Sequence, residues 1–390
     1  MQNEMDLFFK NINETPIEIK KGSCKIIIKD ISFGGVAVNA LAEKIKYIIY
    51  NNIKAEVKIN IKSRTIADLA TIVVFEYIIY YLLKFTECKV CIKLMPDNIA
   101  YTKNFLTNSI TYNFIRDNRN FRFKREKFIE DFESEVPMIN FHRYRKLLKN
   151  NNTKNETINK TSSDVYSFLK SIILDEEYIE DCVEAIGELC SNALEHTKYD
   201  CVLTIECGIG LNKKKEERNI LSIVVSNVSE NLFFSKLREF HKEGYKKFNV
   251  INQALVNHRL FFGKPFVITQ NIGKIMYDEE YFYIVSAFQK GVSTRINQEG
   301  TGGTGLLKLI YNILGKTEDS FCYILTGNKV LFFIENLMNP VEDKFVGFNK
   351  NNDYLNSIPD AESLGTSAMA FGGTIFSLNL ITETEVEKNE

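Results

Sequence analysis

The N-terminal third of the chain alternates between segments with the hydrophobic period of a strand and segments with that of a helix. Residues 24–30, 55–62 and 88–96 have strand patterns, and residues 38–51 and 66–84 between them have helix patterns. Strands joined through helices are typical of a layered α/β domain, because the helices cover the sheet. We therefore expect a small α/β regulatory or interaction domain within residues 1–135.

The most apolar window, residues 66–83, contains Asp68 and Glu76. It barely reaches the length of about 20 residues that spans a bilayer, so a buried helix explains it better. The 390 residues include 49 Lys and Arg against 50 Asp and Glu, which gives no overall charge that would favour nucleic acid or acidic lipid. The first residues lack a signal-peptide pattern. We expect a soluble, cytoplasmic protein with no membrane partner, and the charge does not favour a nucleic-acid partner.

The eight cysteines lie mostly in apolar strand or helix patterns, which is typical of reduced, buried thiols. Cys88 and Cys91 have the spacing of a metal-binding pair. No second pair and no histidine cluster completes a zinc site, because two ligands cannot close a tetrahedron. We interpret this pair as structural.

Aromatic side chains alternate with arginine and lysine between residues 114 and 127. Such a mixture can stack single-stranded nucleic acid, but the acidic residues 130–135 offset its charge, which favours a solvated connecting segment. Residues 141–163 are rich in Asn, Lys and Thr and lose their hydrophobic period. This composition predicts a linker over residues 136–162.

Regular patterning returns at residue 163. The sequence predicts a helix that begins near Ser162 or Ser163 and a long amphipathic helix over residues 176–197. Further strands are predicted over 201–210, 219–229, 321–328, 329–335 and 372–381, and a further helix over 306–314. We expect a second α/β domain over residues 163–382, with a long insertion at 232–300 and an acidic tail at 383–390.

Three polar residues on the predicted helix 176–197 are spaced at i, i+4 and i+8: Glu188, Asn192 and His196. This spacing places them on one face of the helix. A carboxylate can polarise water, an amide oxygen can bind Mg²⁺, and an imidazole can hydrogen-bond phosphate. The spacing alone is equally typical of a solvated helix face.

A cluster of glycines, GTGGTGLLK at residues 300–308, precedes the predicted helix 306–314. Glycines before a helix N-terminus let backbone amides approach an anion, which the helix dipole also favours. The sequence has no Walker P-loop pattern, and no strand leads into the cluster as a dinucleotide-binding motif requires.

Four ordered motifs resemble those of the GHKL ATP-binding superfamily, which includes histidine kinases, gyrase, heat-shock chaperones and anti-sigma-factor kinases. ELCSNALEH at 188–196 is similar to the N box, and FQKGVST at 288–294 to the kinase-type lid motif. GTGL at 303–306 is similar to the second glycine box, and GGTIFSL at 372–378 to the closing strand. The resemblance implies a Bergerat-type α/β sandwich over about 163–382, with 232–300 as a long lid. The N-terminal domain resembles a STAS-type partner of such kinases only faintly.

The resemblance implies a role for each matching residue. Glu188 would be the base or water-orienting residue, Asn192 the Mg²⁺ ligand, and His196 a neighbour of phosphate. Asn227 and Thr374 would lie near the adenine. The triphosphate would lie against the second glycine box and the residues around it, namely Gly302, Gly303, Thr304, Gly305, Leu306 and Lys308.

The first glycine box, DxGxG in the family, departs from its pattern here, because Asn227 replaces the aspartate and Ser229 and Asn231 replace the glycines. An asparagine amide can still accept from the adenine amino group and donate to a ring nitrogen. For three of these residues an ordinary structural role remains an alternative to nucleotide binding. Asn227 could be a turn residue, His196 a partner of the helix C-terminus, and Lys308 a surface charge.

We expect an ATP- and Mg²⁺-binding protein that acts as a cytosolic regulatory kinase or ATPase, with a protein partner on the N-terminal domain or the lid. A homodimer is compatible with the sequence. The alternative is an ATP-gated switch or pseudo-enzyme interaction module without phosphoryl transfer to protein. His142 is the only histidine upstream and a poor candidate for a phosphoacceptor. A nucleic-acid machine of the gyrase type ranks third, since it would need a further domain with a basic groove.

Overall fold

A computed structural model describes residues 3–94, 109–111, 121–140, 142–173, 175–195, 197–211, 217–243, 249–265, 275–290, 292, 322–338 and 345–382. Its helices are α1 (Glu4–Phe9), α2 (Gly35–Tyr50), α3 (Leu69–Phe85), α4 (Phe121–Phe132), α5 (Lys154–Lys170), α6 (Glu176–Glu195), α7 (Ser235–Lys242), α8 (Asn249–His258) and α9 (Glu279–Ser286). Its strands are β1 (Ile19–Lys20), β2 (Ser23–Ile28), β3 (Ser32–Phe33), β4 (Glu56–Ile61), β5 (Thr65–Ile66), β6 (Lys89–Leu94), β7 (Met138–Asn140), β8 (Arg143–Leu148), β9 (Cys201–Leu211), β10 (Glu217–Val228), β11 (Tyr323–Phe332) and β12 (Leu364–Thr382).

The N-terminal unit is the α/β layer that the alternating pattern predicts. Its sheet has the order β1-β2-β4-β6, and β2, β4 and β6 are parallel to one another. The predicted strands and helices agree with the observed ones to within a few residues. Parallel neighbours require a crossover, which α2 and α3 provide. The mixed α/β fold class is confirmed.

Helix α3 accounts for the most apolar window. Asp68 is its N-cap, because an Asp68 carboxylate oxygen accepts a hydrogen bond from the Thr71 amide at 2.8 Å. Most of the helix is buried all round, including Glu76, of which 1% is exposed. Within the described residues, no helix is both long and apolar enough to cross a membrane.

The larger sheet is antiparallel and has the order β11-β12-β10-β9-β8-β7. Its side chains alternate between two faces. Leu203, Val225 and Phe376 face the core formed with α5 and α6, whereas Val224 and Ile375 face α1, α2 and α3 of the N-terminal unit. The sheet is therefore buried on both faces, and the two halves of the chain share it.

The expected linker at residues 136–162 differs from the structure, which places β7, β8 and the first half of α5 there. Strand β8 pairs with β9, and all six of its residues are buried. Helix α5 begins at Lys154 after the N-cap Thr153, so Ser162 and Ser163 lie inside it. The sheet of the second half therefore begins before residue 162. Of the basic and aromatic segment 114–127, residues 121–127 form the first part of helix α4 and are exposed or half-buried; the helix is anchored by Phe128 and Phe132, which follow this segment and are buried.

The expected long lid is in large part packed into the core. Helices α7, α8 and α9 contribute buried Leu237, Ile251 and Phe282, respectively. His258, at the end of α8, forms hydrogen bonds with the Tyr277 hydroxyl at 2.6 Å and the Tyr354 carbonyl at 2.8 Å, so α8 is joined to Tyr277 and to the segment before β12.

Two expected strands, 321–328 and 329–335, are one continuous strand, β11, because its turn-like glycine forms a bulge instead of a hairpin. Gly327 has φ of +62°, and the register with β12 shifts on either side of it. Strand β12 is also longer than predicted and begins at Leu364.

Candidate functional site

Glu188 and Asn192 lie on the same face of α6, as their spacing predicts. The amide nitrogen of Asn192 donates a hydrogen bond to Oε1 of Glu188 at 3.2 Å, and both side chains are half-buried. The other face of α6 carries buried Leu189 and Cys190 and packs on the sheet, which fixes the rotation of the helix. The bond does not use the amide oxygen of Asn192, which is the atom that a magnesium ion would bind.

Asn227, near the C-terminal end of β10, lies directly below this helix. It is 4% exposed, and its amide nitrogen donates to the carbonyl oxygen of Ala193 at 3.3 Å. Ala193 is the residue after Asn192, so this hydrogen bond places the side chain of Asn227 next to the part of α6 that carries Asn192. The side chain of Asn227 is held by the helix and is not a free turn residue.

Thr374 completes a row of polar side chains across three strands. In the register of the larger sheet, Thr374 of β12 is opposite both Asn227 of β10 and Thr326 of β11. Its hydroxyl donates to that of Thr326 at 3.4 Å, and the hydroxyl of Thr326 accepts from the Phe233 amide at 3.1 Å. These residues share the sheet face toward α6, since Thr374 is two positions from Phe376 and therefore on the same face, and Phe376 packs in that core.

A cleft of about 250 Å³ lies at the C-terminal end of α6, and Glu188, Asn192, Asn227 and Thr374 are not among the residues that line it. It is lined by Glu195, Thr197, Lys198, Ser229, Glu230, Asn231 and Lys236. Ser229 and Asn231, which stand where the resemblance leads us to expect glycines, both line this cleft. Lys236 donates from Nζ to the Glu195 carbonyl at 3.0 Å, and Lys198 pairs with Glu230.

Lys236 is a site residue that the sequence patterns did not indicate. It lies in the first turn of α7, nine positions after Asn227 in the sequence. Nothing in the sequence distinguishes a lysine that lines a cleft from one on the surface at the start of an amphipathic helix, because single lysines are usually solvated. Its position shortly after residues 227–231, the segment that resembles an altered first glycine box, is the one sequence feature that could have indicated it.

Several expected site residues lie outside the described residues. These are His196, Gly302, Gly303, Thr304, Gly305, Leu306 and Lys308. Of the lid motif, residues 288–290 and 292 are described; Phe288, Gln289 and Val292 are buried, and Lys290 is exposed. Phe288 packs against Phe333, and the amide group of Gln289 makes two hydrogen bonds to the backbone of Val346, each at 2.9 Å. Phe288 and Gln289 therefore attach this part of the motif to the hydrophobic core.

A second polar cluster lies on the opposite face of the sheet. Arg143 of β8 lies 3.3 Å from Glu76 of α3 and 3.9 Å from Glu206 of β9, measured between nitrogen and oxygen atoms. Arg145 lies 4.0 Å from Glu76 and donates to the backbone carbonyl of Phe132. Burial raises the pKa of Glu206 to about 7, although Arg143 opposes the rise. These charges join the N-terminal unit to the sheet.

The cysteines behave as the sequence predicts. All eight are free thiols, Cys88 is buried and donates to the Ile53 carbonyl at 3.0 Å, and Cys91 is partly exposed. Within the described part of the chain, no three His, Cys, Asp or Glu side chains group as metal ligands would. The residues that suit a cation here are amide and carboxylate oxygens at Asn192 and Glu188, the hard ligands that Mg²⁺ takes beside phosphate oxygens.

Comparisons of the chain with known proteins identify no relative. No family model, curated protein or solved structure matches the chain. What the chain binds must therefore be inferred from the residues of the site.

Proposed function

We propose that this protein binds ATP with Mg²⁺ and acts as a cytosolic regulatory kinase or ATPase of the GHKL type. The observation that carries the proposal is the register of the larger sheet. It brings Asn227 opposite Thr374, under the helix that carries Glu188 and Asn192. Motifs separated by about half the chain thus meet at one place.

Each described residue fits its proposed role. The amide nitrogen of Asn227 is used by Ala193, which leaves its amide oxygen to accept from the adenine amino group. Asn192 is oriented by Glu188, and its oxygen would bind the metal. A carboxylate next to the metal ligand is placed to polarise a water or a hydroxyl. Bound Mg²⁺ would supply charge neutralisation at the phosphates.

We also propose the finer fold that the resemblance implies. An antiparallel sheet with α5 and α6 on one face, and the candidate residues on α6, at the end of β10 and in the middle of β12, supports a Bergerat-type sandwich. The parallel N-terminal unit is compatible with a STAS-like interaction domain that binds a protein partner.

A second candidate is an ATP-gated switch or pseudo-enzyme without phosphoryl transfer. The lining of the cleft favours it, because Ser229 and Asn231 occupy space that glycines would leave to a nucleotide. Glu188 favours an enzyme, since a binding module would not need a carboxylate beside the metal ligand.

The test measures ATP affinity by calorimetry with and without Mg²⁺, and ADP release in parallel, for wild type and four variants. Asn227→Ala should weaken binding with or without the metal, and Asn192→Ala should abolish the Mg²⁺ dependence. Glu188→Gln retains the acceptor for Asn192, so it should bind ATP and lose turnover. The matched control is Glu180→Gln, an exposed carboxylate two turns earlier on α6.

The outcomes separate the candidates. Turnover that is lost in Glu188→Gln alone supports an enzyme, whereas binding without turnover in wild type supports the switch. Absence of ATP binding by wild type refutes the proposed function.

A further inference from the structure

Helix α1 packs directly behind the candidate site, and a glycine makes this possible. A Cβ atom at Gly372 of β12 would lie 2.0 Å from the carbonyl oxygen of Leu7 and 2.6 Å from its carbon. The ring of Phe8 meets that of Phe371 edge-on at 5.6 Å, and both rings are fully buried. The backbone of α1 thus rests on the backbone of β12, with no side chain between them.

The same glycine also supports the edge of the cleft. The Ser229 amide donates to the Gly372 carbonyl at 3.0 Å, and Ser229 lines the cleft. One position further, a Cβ atom at Gly373 would lie 2.0 Å from the Asn227 carbonyl. Backbone therefore contacts backbone from α1 through β12 to residues 227–229, at and just beyond the end of β10. A displacement of α1 cannot be absorbed by rotation of a side chain.

Helix α1 is also joined to the rest of the N-terminal unit. The Tyr50 hydroxyl, at the end of α2, donates to the Asp6 carboxylate at 2.8 Å. The ring of Phe8 lies 5.1 Å from that of Tyr81 and 5.8 Å from that of Tyr77, both on α3. A ligand or protein that moves α2 or α3 therefore acts on α1 through these contacts.

We propose that α1 regulates the candidate nucleotide site by setting the position of Gly372 and, through it, of Ser229. The inference rests on the proposed function and adds its control: docked α1 holds the cleft in its binding form, and displaced α1 weakens nucleotide binding. Linkage makes the effect reciprocal, so bound nucleotide strengthens the docking of α1.

The test compares Gly372→Ala with Gly365→Ala. The control change is made in the same strand, where the new Cβ meets only side chains, the nearest being the ring of Phe332 at 2.6 Å, which can turn aside. Amide exchange resolved to single residues follows Ser229 without nucleotide, and calorimetry follows the affinity for Mg²⁺–ATP. We expect Gly372→Ala to weaken ATP binding by about fivefold to 150-fold, the usual range of coupling between sites. Exchange at Ser229 should become faster as its bond to residue 372 is strained.

Equal exchange at Ser229 and equal ATP affinity in the two alanine variants would overturn the proposal. If wild type binds no ATP, the proposed function fails, and exchange at Ser229 still decides whether α1 controls the cleft. If Gly372→Ala does not fold, Phe8→Leu replaces it. This variant removes the ring contact with Phe371 that helps to dock α1, without placing a new atom against the backbone of α1, and the same two measurements are made on it.

Discussion

Glu206 allows the buried charge cluster to be tested quantitatively. Burial raises the pKa of this carboxyl from its ordinary 4.5 to about 7, because its side chain is only 3% exposed; Arg143, 3.9 Å away, offsets the rise only in part. Below pH 4.5 the carboxyl is protonated in both states. Between about 4.5 and 7 it ionises only on unfolding, so the free energy of unfolding falls as pH rises. The loss sums to about 3 kcal/mol, at about 1.4 kcal/mol per pH unit.

Glu206→Gln resembles the protonated side chain and removes this titration. We expect variant and wild type to be equally stable near the low end of the range, and the variant to be more stable by about 3 kcal/mol at about pH 8. Urea unfolding followed by circular dichroism at several pH values measures the difference. Burial also raises the pKa of Glu4 to about 7, but Glu4 is present in both proteins and cancels. A difference between the two proteins that stays constant with pH would show that Glu206 is ionised in the folded state.

Two other changes test local features. Asp68→Ala removes the N-cap of α3 and the acceptor of the Tyr323 hydroxyl, and should cost about 1–2 kcal/mol of unfolding free energy in urea, whereas Asp68→Asn should retain most of the cap. Cys91 is partly exposed and the other cysteines are buried, so a thiol reagent should label one site quickly in the native protein. Fast labelling that persists in Cys91→Ser would contradict this structure.

The sequence predicted the helices and strands correctly where the local hydrophobic pattern matches the burial of the side chains. The strands and helices of the N-terminal unit were predicted because each follows its own period between turns. Only the family resemblance related the motif of Asn227 to that of Asn192, since the hydrogen bond from Asn227 to Ala193 depends on how α6 rotates on the sheet.

Strand β8 was missed because its sequence, RYRKLL, is too basic for a buried strand by itself. Its cations are paired by carboxylates remote in sequence: Arg143 by Glu76 and Glu206, and Lys146 by Asp164 at 3.0 Å. No local window contains both partners. Lys236 was missed for a similar reason, because its place in the cleft depends on the end of α6.

The sheet that is covered on both faces has a consequence for how the two halves can exist separately. A fragment that begins at residue 136 would retain Arg143, Arg145 and Glu206 but lose Glu76, and would expose Val224 and Ile375 to water. Uncompensated charge and bare apolar surface on one face would favour aggregation. We therefore expect the half that carries the candidate nucleotide site not to fold alone, and to unfold together with the N-terminal unit.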